Sequence, residues 1–151
     1  MSNEIIFSEQ IFDNVFERKV LFEKYDPYLG AILLTDGTSW GYPNFNTESV
    51  TQAIENINTI NNVLYGEIHE ERDMLCDLVR LSNVSHTIKN VFLRDGKIYG
   101  EVTWLDTPSG RIMRELLRNN FQAKFMIRAA GNIDEQETVI DRIITWDVKT
   151  I

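Results

Sequence analysis

The chain is poor in the residues that would staple it, anchor it or arm it. A single cysteine, Cys76, excludes an internal disulfide and suits a reducing compartment, where a lone thiol serves as a small apolar filler. Only two histidines are present, His69 and His86, so imidazole chemistry has two centres to choose from. No run of about 18 apolar residues exists to span a bilayer, and no basic-then-apolar leader precedes the first hydrophobic stretch. A soluble, non-secreted protein is therefore expected. Basic residues are also few: 15 Lys plus Arg stand against 23 Asp plus Glu, giving a net charge of -8. The basic residues are scattered, so a phosphate backbone is repelled on average and nucleic acid is excluded as a direct partner. Metal motifs are missing too, with no HExxH and no second cysteine, and Gly96, Gly100 and Gly110 do not form a phosphate-binding turn. No metal and no cofactor is expected.

What is present suits one core. At 151 residues with 43% apolar side chains, a single domain buries roughly 70% of its unfolded surface. Ile11, Phe12, Val15 and Phe16 lie at helical spacing within residues 1–27. That helix either packs on its own domain or forms an N-terminal amphipathic arm, leaving 28–151 as the main domain. A buried strand is expected over 28–35, between Pro27 and Asp36-Gly37. A helix capped by Asn46 or Thr47 follows, with Val50, Ala53, Ile54, Ile57 and Ile60 on one face.

A second strand is expected over 63–68, ending at His69 and the acidic run Glu70-Glu71-Arg72-Asp73. Glu67, Glu70, Glu71 and Asp73 read as a solvated cluster. Residues 85–93 and 97–105 form a hairpin, because Asp95-Gly96 supplies the positive φ angles of a tight turn. Thr107 then caps a helix with Pro108 at its first position and Ile112, Met113, Leu116 and Leu117 on its apolar face. Asn119-Asn120 ends it, because asparagine tolerates the left-handed conformation. Strands over 122–129 and 138–148, separated by a polar turn over 131–136, close the chain. The expected fold is α+β, with an antiparallel-rich sheet or partly closed β-barrel flanked by helices.

His69 follows a strand beside Glu70 and Glu71, whose carboxylates could orient it as a general base; a surface histidine in an acidic loop is the alternative. His86 reads as a buried, hydrogen-bonded residue. Alternation along a strand turns it away from its neighbour Ser85, so those two are not expected to pair.

Several segments, in order, resemble the prohead (capsid maturation) proteases of tailed bacteriophages, serine proteases that share a fold with the herpesvirus assemblins. The similarity covers about residues 29–148 and runs through Gly30–Leu34, Tyr42-Pro43, Gly66-Glu67-Ile68-His69, Val84-Ser85-His86-Thr87-Ile88, Leu105–Gly110 and Thr145-Trp146-Asp147-Val148. It implies a herpesvirus-protease-like fold with His69 at the base position. Glu70 stands where the family has proline, one residue closer. The family's nucleophile motif, Gly-Val-Ser-Ser-Arg-Gly, aligns on 124–129, so Met126 occupies the position of the reactive serine and Ile127 that of its neighbour. A thioether has no proton to give up and does not attack a carbonyl as an activated hydroxyl does.

Arg128 is kept as a binding residue for an acidic group or a backbone carbonyl, and Glu67 and His86 join it as candidate binding residues. The resemblance thus implies a catalytically inactive head-assembly protein, a pseudoprotease acting as a structural, scaffold-associated or minor capsid component. Its partners would be capsid or scaffold proteins, an active protease paralogue or further copies of itself, in the host cytoplasm during infection and in the prohead or virion. The alternative is an active serine endoprotease that cleaves scaffold and capsid proteins, with Ser85 or Ser109 reaching His69.

Overall fold

The computed structural model describes residues 4–8, 28–61, 63–69, 76–119 and 121–150. The expected helix around Ile11–Phe16 and the acidic run from Glu70 to Asp73 lie outside them. Among the described residues the fold is α+β, with seven strands in two antiparallel sheets and two α-helices. One sheet has the order β1-β6-β7, from Ile5–Ser8, Ala123–Ile133 and Thr138–Thr150. The other has the order β2-β5-β4-β3, from Tyr28–Asp36, Lys97–Trp104, Val84–Arg94 and Leu64–Glu67. Ile5–Ser8, grouped above with an arm, are thus paired with β6, and Phe7 lies in the core.

The sheets stay open, which corrects the expected partly closed barrel. β3 has only four residues, and beyond it a single parallel bridge, Ile68 to Val148, links the two ladders. The His69 backbone N–H donates to the Val148 carbonyl at 2.7 Å, and no ladder propagates from there. Side chains complete the join. Trp146 of β7 donates its indole N–H to Thr35 Oγ1 of β2 at 2.8 Å. Buried Trp40, from the irregular loop, packs edge-on against Phe7, Tyr42 and Phe45 with centroids 5.9, 5.1 and 4.5 Å away.

The helices form where capping predicts. Asn46 accepts from the Ser49 backbone N–H at 2.9 Å and starts α1, Thr47–Asn56, whose Val50, Ala53 and Ile54 are buried. α1 runs on into a π-helical turn, Ile57–Asn61. There the Asn58 side chain donates to the Val91 carbonyl and accepts from the Val91 N–H, at 2.9 and 3.3 Å. Its target is the bulge of β4 between Lys89 and Phe92, where Asn90 has φ 52°. One irregularity satisfies the other's unpaired backbone groups.

Thr107 caps α2, Pro108–Arg118, by accepting from the Gly110 N–H. Of the expected Asn119-Asn120 stop, Asn119 has φ −94° and is not left-handed, and Asn120 lies outside the described residues. The Phe121 N–H returns to the Leu116 carbonyl at 3.1 Å, the six-to-one bond of a Schellman ending, and the Asn119 side chain donates to the Glu115 carbonyl. The β4–β5 turn follows expectation, with Asp95 and Gly96 at φ 52° and 74°. The polar turn between β6 and β7 is shorter than expected, because β6 extends through Ile133.

Candidate functional site: a buried arginine between two carboxylates

Strand β6 is buried on both faces, and its alternation sorts the residues of the nucleophile-like segment. Phe125 and Ile127 belong to the main core. Met126 and Arg128, each 1% exposed, occupy the other face, where Met126 pairs with Asp147 of β7. Arg128 stands opposite Thr145 and reaches diagonally back to that aspartate. Its Nε and Nη2 donate to Asp147 Oδ2 and Oδ1 at 3.0 and 2.7 Å, a two-pronged ion pair. Nη2 also donates to Glu67 Oε2 of β3 at 2.9 Å. Nη1 donates to the carbonyls of Cys76 and Leu78 at 3.1 and 2.9 Å. A guanidinium has five N–H groups, and five protein oxygen contacts account for them.

The carboxylates are braced in turn. Glu67 accepts from the Asn83 side chain at 3.3 Å and from the Arg80 backbone N–H, and its own N–H donates to Asp147 Oδ1 at 3.2 Å. Asn83 also donates to the Ile68 carbonyl and accepts from the Ser109 hydroxyl. Glu67 is therefore buried in a closed network, which corrects its assignment to a solvated acidic cluster. A carboxylate enclosed this way must be paired, because desolvation disfavours its charge.

The two acids respond differently to that enclosure. Burial raises the Glu67 carboxyl, but hydrogen bonds from Arg128, Arg80 and Asn83 outweigh it and hold it below the usual carboxylate range. Burial also raises Asp147, more than the Arg128 fork lowers it, so Asp147 lies above that range. Arg128 loses to burial but gains more from the two acids, and its proton is held more tightly than usual.

His86 stands apart from this cluster, in the core, edge-on to Trp104 and Phe125. Its Nε2 lies 2.8 Å from the Trp146 carbonyl and its Nδ1 2.7 Å from Ser85 Oγ. A carbonyl only accepts, so the proton sits on Nε2 and the serine hydroxyl donates to Nδ1. Burial lowers this imidazole to about 4, against a smaller raising by the Trp146 carbonyl, so it is neutral at pH 7. The Ser85–His86 contact corrects the expectation that they could not pair. Gly66 faces His86 and Glu67 faces Val84, so Ser85 is the extra residue of a bulge and strict alternation fails there.

Gly66 makes this arrangement feasible. A methyl group there would collide with His86 Nε2 and the Trp146 carbonyl. Gly66→Ala is expected to cost about 2–4 kcal/mol in urea unfolding, by displacing the imidazole or breaking its bond.

Of the candidate residues, Glu67 and Arg128 are in contact, and His86 is not with them. Half-buried His69, two residues beyond β3, lies beside Val148, and Met126 pairs with Asp147, so strand β7 lies between the two. The Ser85 and Ser109 hydroxyls are engaged by His86 and Asn83. Cys76 is half-buried and free, its Sγ 3.4 Å from the Leu78 carbonyl. Among the described residues no three His, Cys, Asp or Glu side chains are grouped to hold a metal ion, and no helix is long and apolar enough to cross a membrane. The sequence reading gave no role to Asp147 and Asn83. Asp147 carried a signal, as a lone carboxylate among Ile143, Ile144, Trp146 and Val148.

This architecture is similar to that of a phage capsid assembly protease. One solved structure it resembles is the bacteriophage T4 capsid assembly protease, gp21, with a TM-score of 0.70 over 97% of this chain and 98% of that one, at 11% sequence identity. The sequence matches no protein-family model and no curated protein.

Proposed function

We propose that this chain is a phage head-assembly protein on the prohead-protease fold, a pseudoprotease that acts through contacts with capsid or scaffold proteins and not by cleavage. The observation that carries this reading is Met126, a buried thioether at the position aligned with the nucleophile, on a strand face shared with a guanidinium whose donors are taken up within the protein. The likeness to a capsid assembly protease supports the setting, a prohead or virion; the herpesvirus-protease relationship rests on the sequence motifs alone. His69 is then a vestige of the base position, and Arg128, Glu67 and Asp147 hold three strands together. The N-terminal arm, residues 1–27, is the segment proposed to dock on a neighbour, with its Ile5–Ser8 paired in the sheet.

The test incubates the purified protein with the capsid and scaffold proteins of its own phage. No new fragments are expected on gels or by mass spectrometry, His69→Ala is expected to change nothing, and the protein is expected to co-sediment with proheads. Fragments that disappear in His69→Ala would establish the serine endoprotease instead. Absence from proheads would remove the head-assembly reading.

A further inference from the structure

We propose that residues 76–80 are a strap latched over the outer face of β6 by the Arg128–Glu67 pair, and that the strap opens as a unit while the sheets beneath stay folded. Alternate residues turn a backbone group to the pair: the Cys76 and Leu78 carbonyls accept from Arg128 Nη1, and the Arg80 N–H donates to Glu67. Between them, the Asp77 carboxylate comes only within 3.9 Å of Arg142, a contact of exposed side chains. The strap has no regular secondary structure, and Leu78 is 72% exposed. Apolar burial therefore contributes little to holding it down. Beneath it, β6 and β7 pair from Ala123–Thr150 to Ile133–Thr138. An element held by a few backbone bonds on a long ladder belongs to the low-stability end of a fold and opens first.

Opening has a definite chemical result. It frees both N–H groups of Arg128 Nη1, which held the Cys76 and Leu78 carbonyls. The face it uncovers is the one carrying Met126, and only that significance rests on the proposed function. The latch itself stands or falls on exchange rates, whether or not the protein cleaves or binds capsids.

Hydrogen exchange of the full-length protein, followed by mass spectrometry on peptides spanning 76–80 and on peptides of β6 and β7, tests it. The Arg80 amide, which donates to Glu67, is expected to be protected, with exchange insensitive to urea up to about 1 M, while β6 and β7 amides show the steep dependence of global unfolding. Arg128→Lys keeps the charge but has too few donors for two carboxylates and two carbonyls, and is expected to speed strap exchange by about tenfold or more without a urea slope. Arg80 exchange with the same urea slope as β6 and β7, or at the unprotected rate, overturns the proposal, as does a variant that leaves it unchanged. If Arg128→Lys does not fold, the wild-type urea series decides alone.

Discussion

Arg128→Met is expected to destabilise the fold by about 3–5 kcal/mol, because it leaves Glu67 and Asp147 buried and facing each other without their cation. Loss of the ion pair as such accounts for little of this, since desolvation of both partners offsets most of their attraction. The cost comes from the orphaned carboxylates. Two further measurements separate these terms. Adding Glu67→Gln and Asp147→Asn to Arg128→Met should recover part of the loss, because amides are cheaper to bury than carboxylates. The penalty of the single substitution should also shrink as pH falls and the orphaned acids protonate. Urea unfolding midpoints at pH 7 and pH 5 provide both comparisons, and an Arg128→Met cost below about 1 kcal/mol at pH 7 would mean that water reaches the acids.

Acid should weaken the wild-type protein through His86 before it reaches most carboxylates. The folded-state value is lowered to about 4 from an ordinary 6.5, so between those limits the unfolded chain binds a proton that the folded chain refuses. Stability then rises with pH across this window; the contribution is full above 6.5 and is lost as pH falls toward about 4. Its size is about 3 kcal/mol, from roughly 1.4 kcal/mol per pH unit. Glu67, held low, adds a loss of the same sign at more acid pH, whereas Asp147, held high, works against it. Comparing urea unfolding of wild type and His86→Gln from pH 7 to pH 4 isolates the histidine: the variant should be less stable at pH 7 and nearly flat down to about pH 5. Equal slopes for the two proteins would mean that the imidazole takes its proton in place.

Much of the fold was legible because local chemistry and burial agreed. Asp95-Gly96, the Asn46 and Thr107 caps and the apolar runs of β2 and β7 each state their conformation in a few neighbouring residues. The missing information was of another kind. Ser85 meets His86 only because β4 gains a residue against Gly66 and Glu67, and a bulge of that kind depends on the partner strand. Whether the sheets close depends on how far β3 extends, which its four residues do not announce. Glu67 looked solvated because its sequence neighbours are acidic; its partners Arg128, Asn83 and Asp147 are distant in the chain. Arg128 was found because an aligned motif kept it, whereas Asp147 needed only the observation that a carboxylate in an apolar strand requires a cation.

The pairing of β1 with β6 governs how the molecule is made. Ile5 lies against Gly131 and Ser8 against Arg128, so β1 leaves the ribosome well before β6, the strand it pairs with. The β4–β5 hairpin closes locally, but the sheet that carries Met126 and Arg128 has to wait for distant parts of the chain to meet, at a loop-closure cost that grows with their separation. Phe7, which packs on Trp40 and Tyr42, remains uncovered during that interval. Synthesis should therefore pass through a stage with an open strand edge and an exposed aromatic cluster, when a chaperone or another newly made copy has its best opportunity to bind.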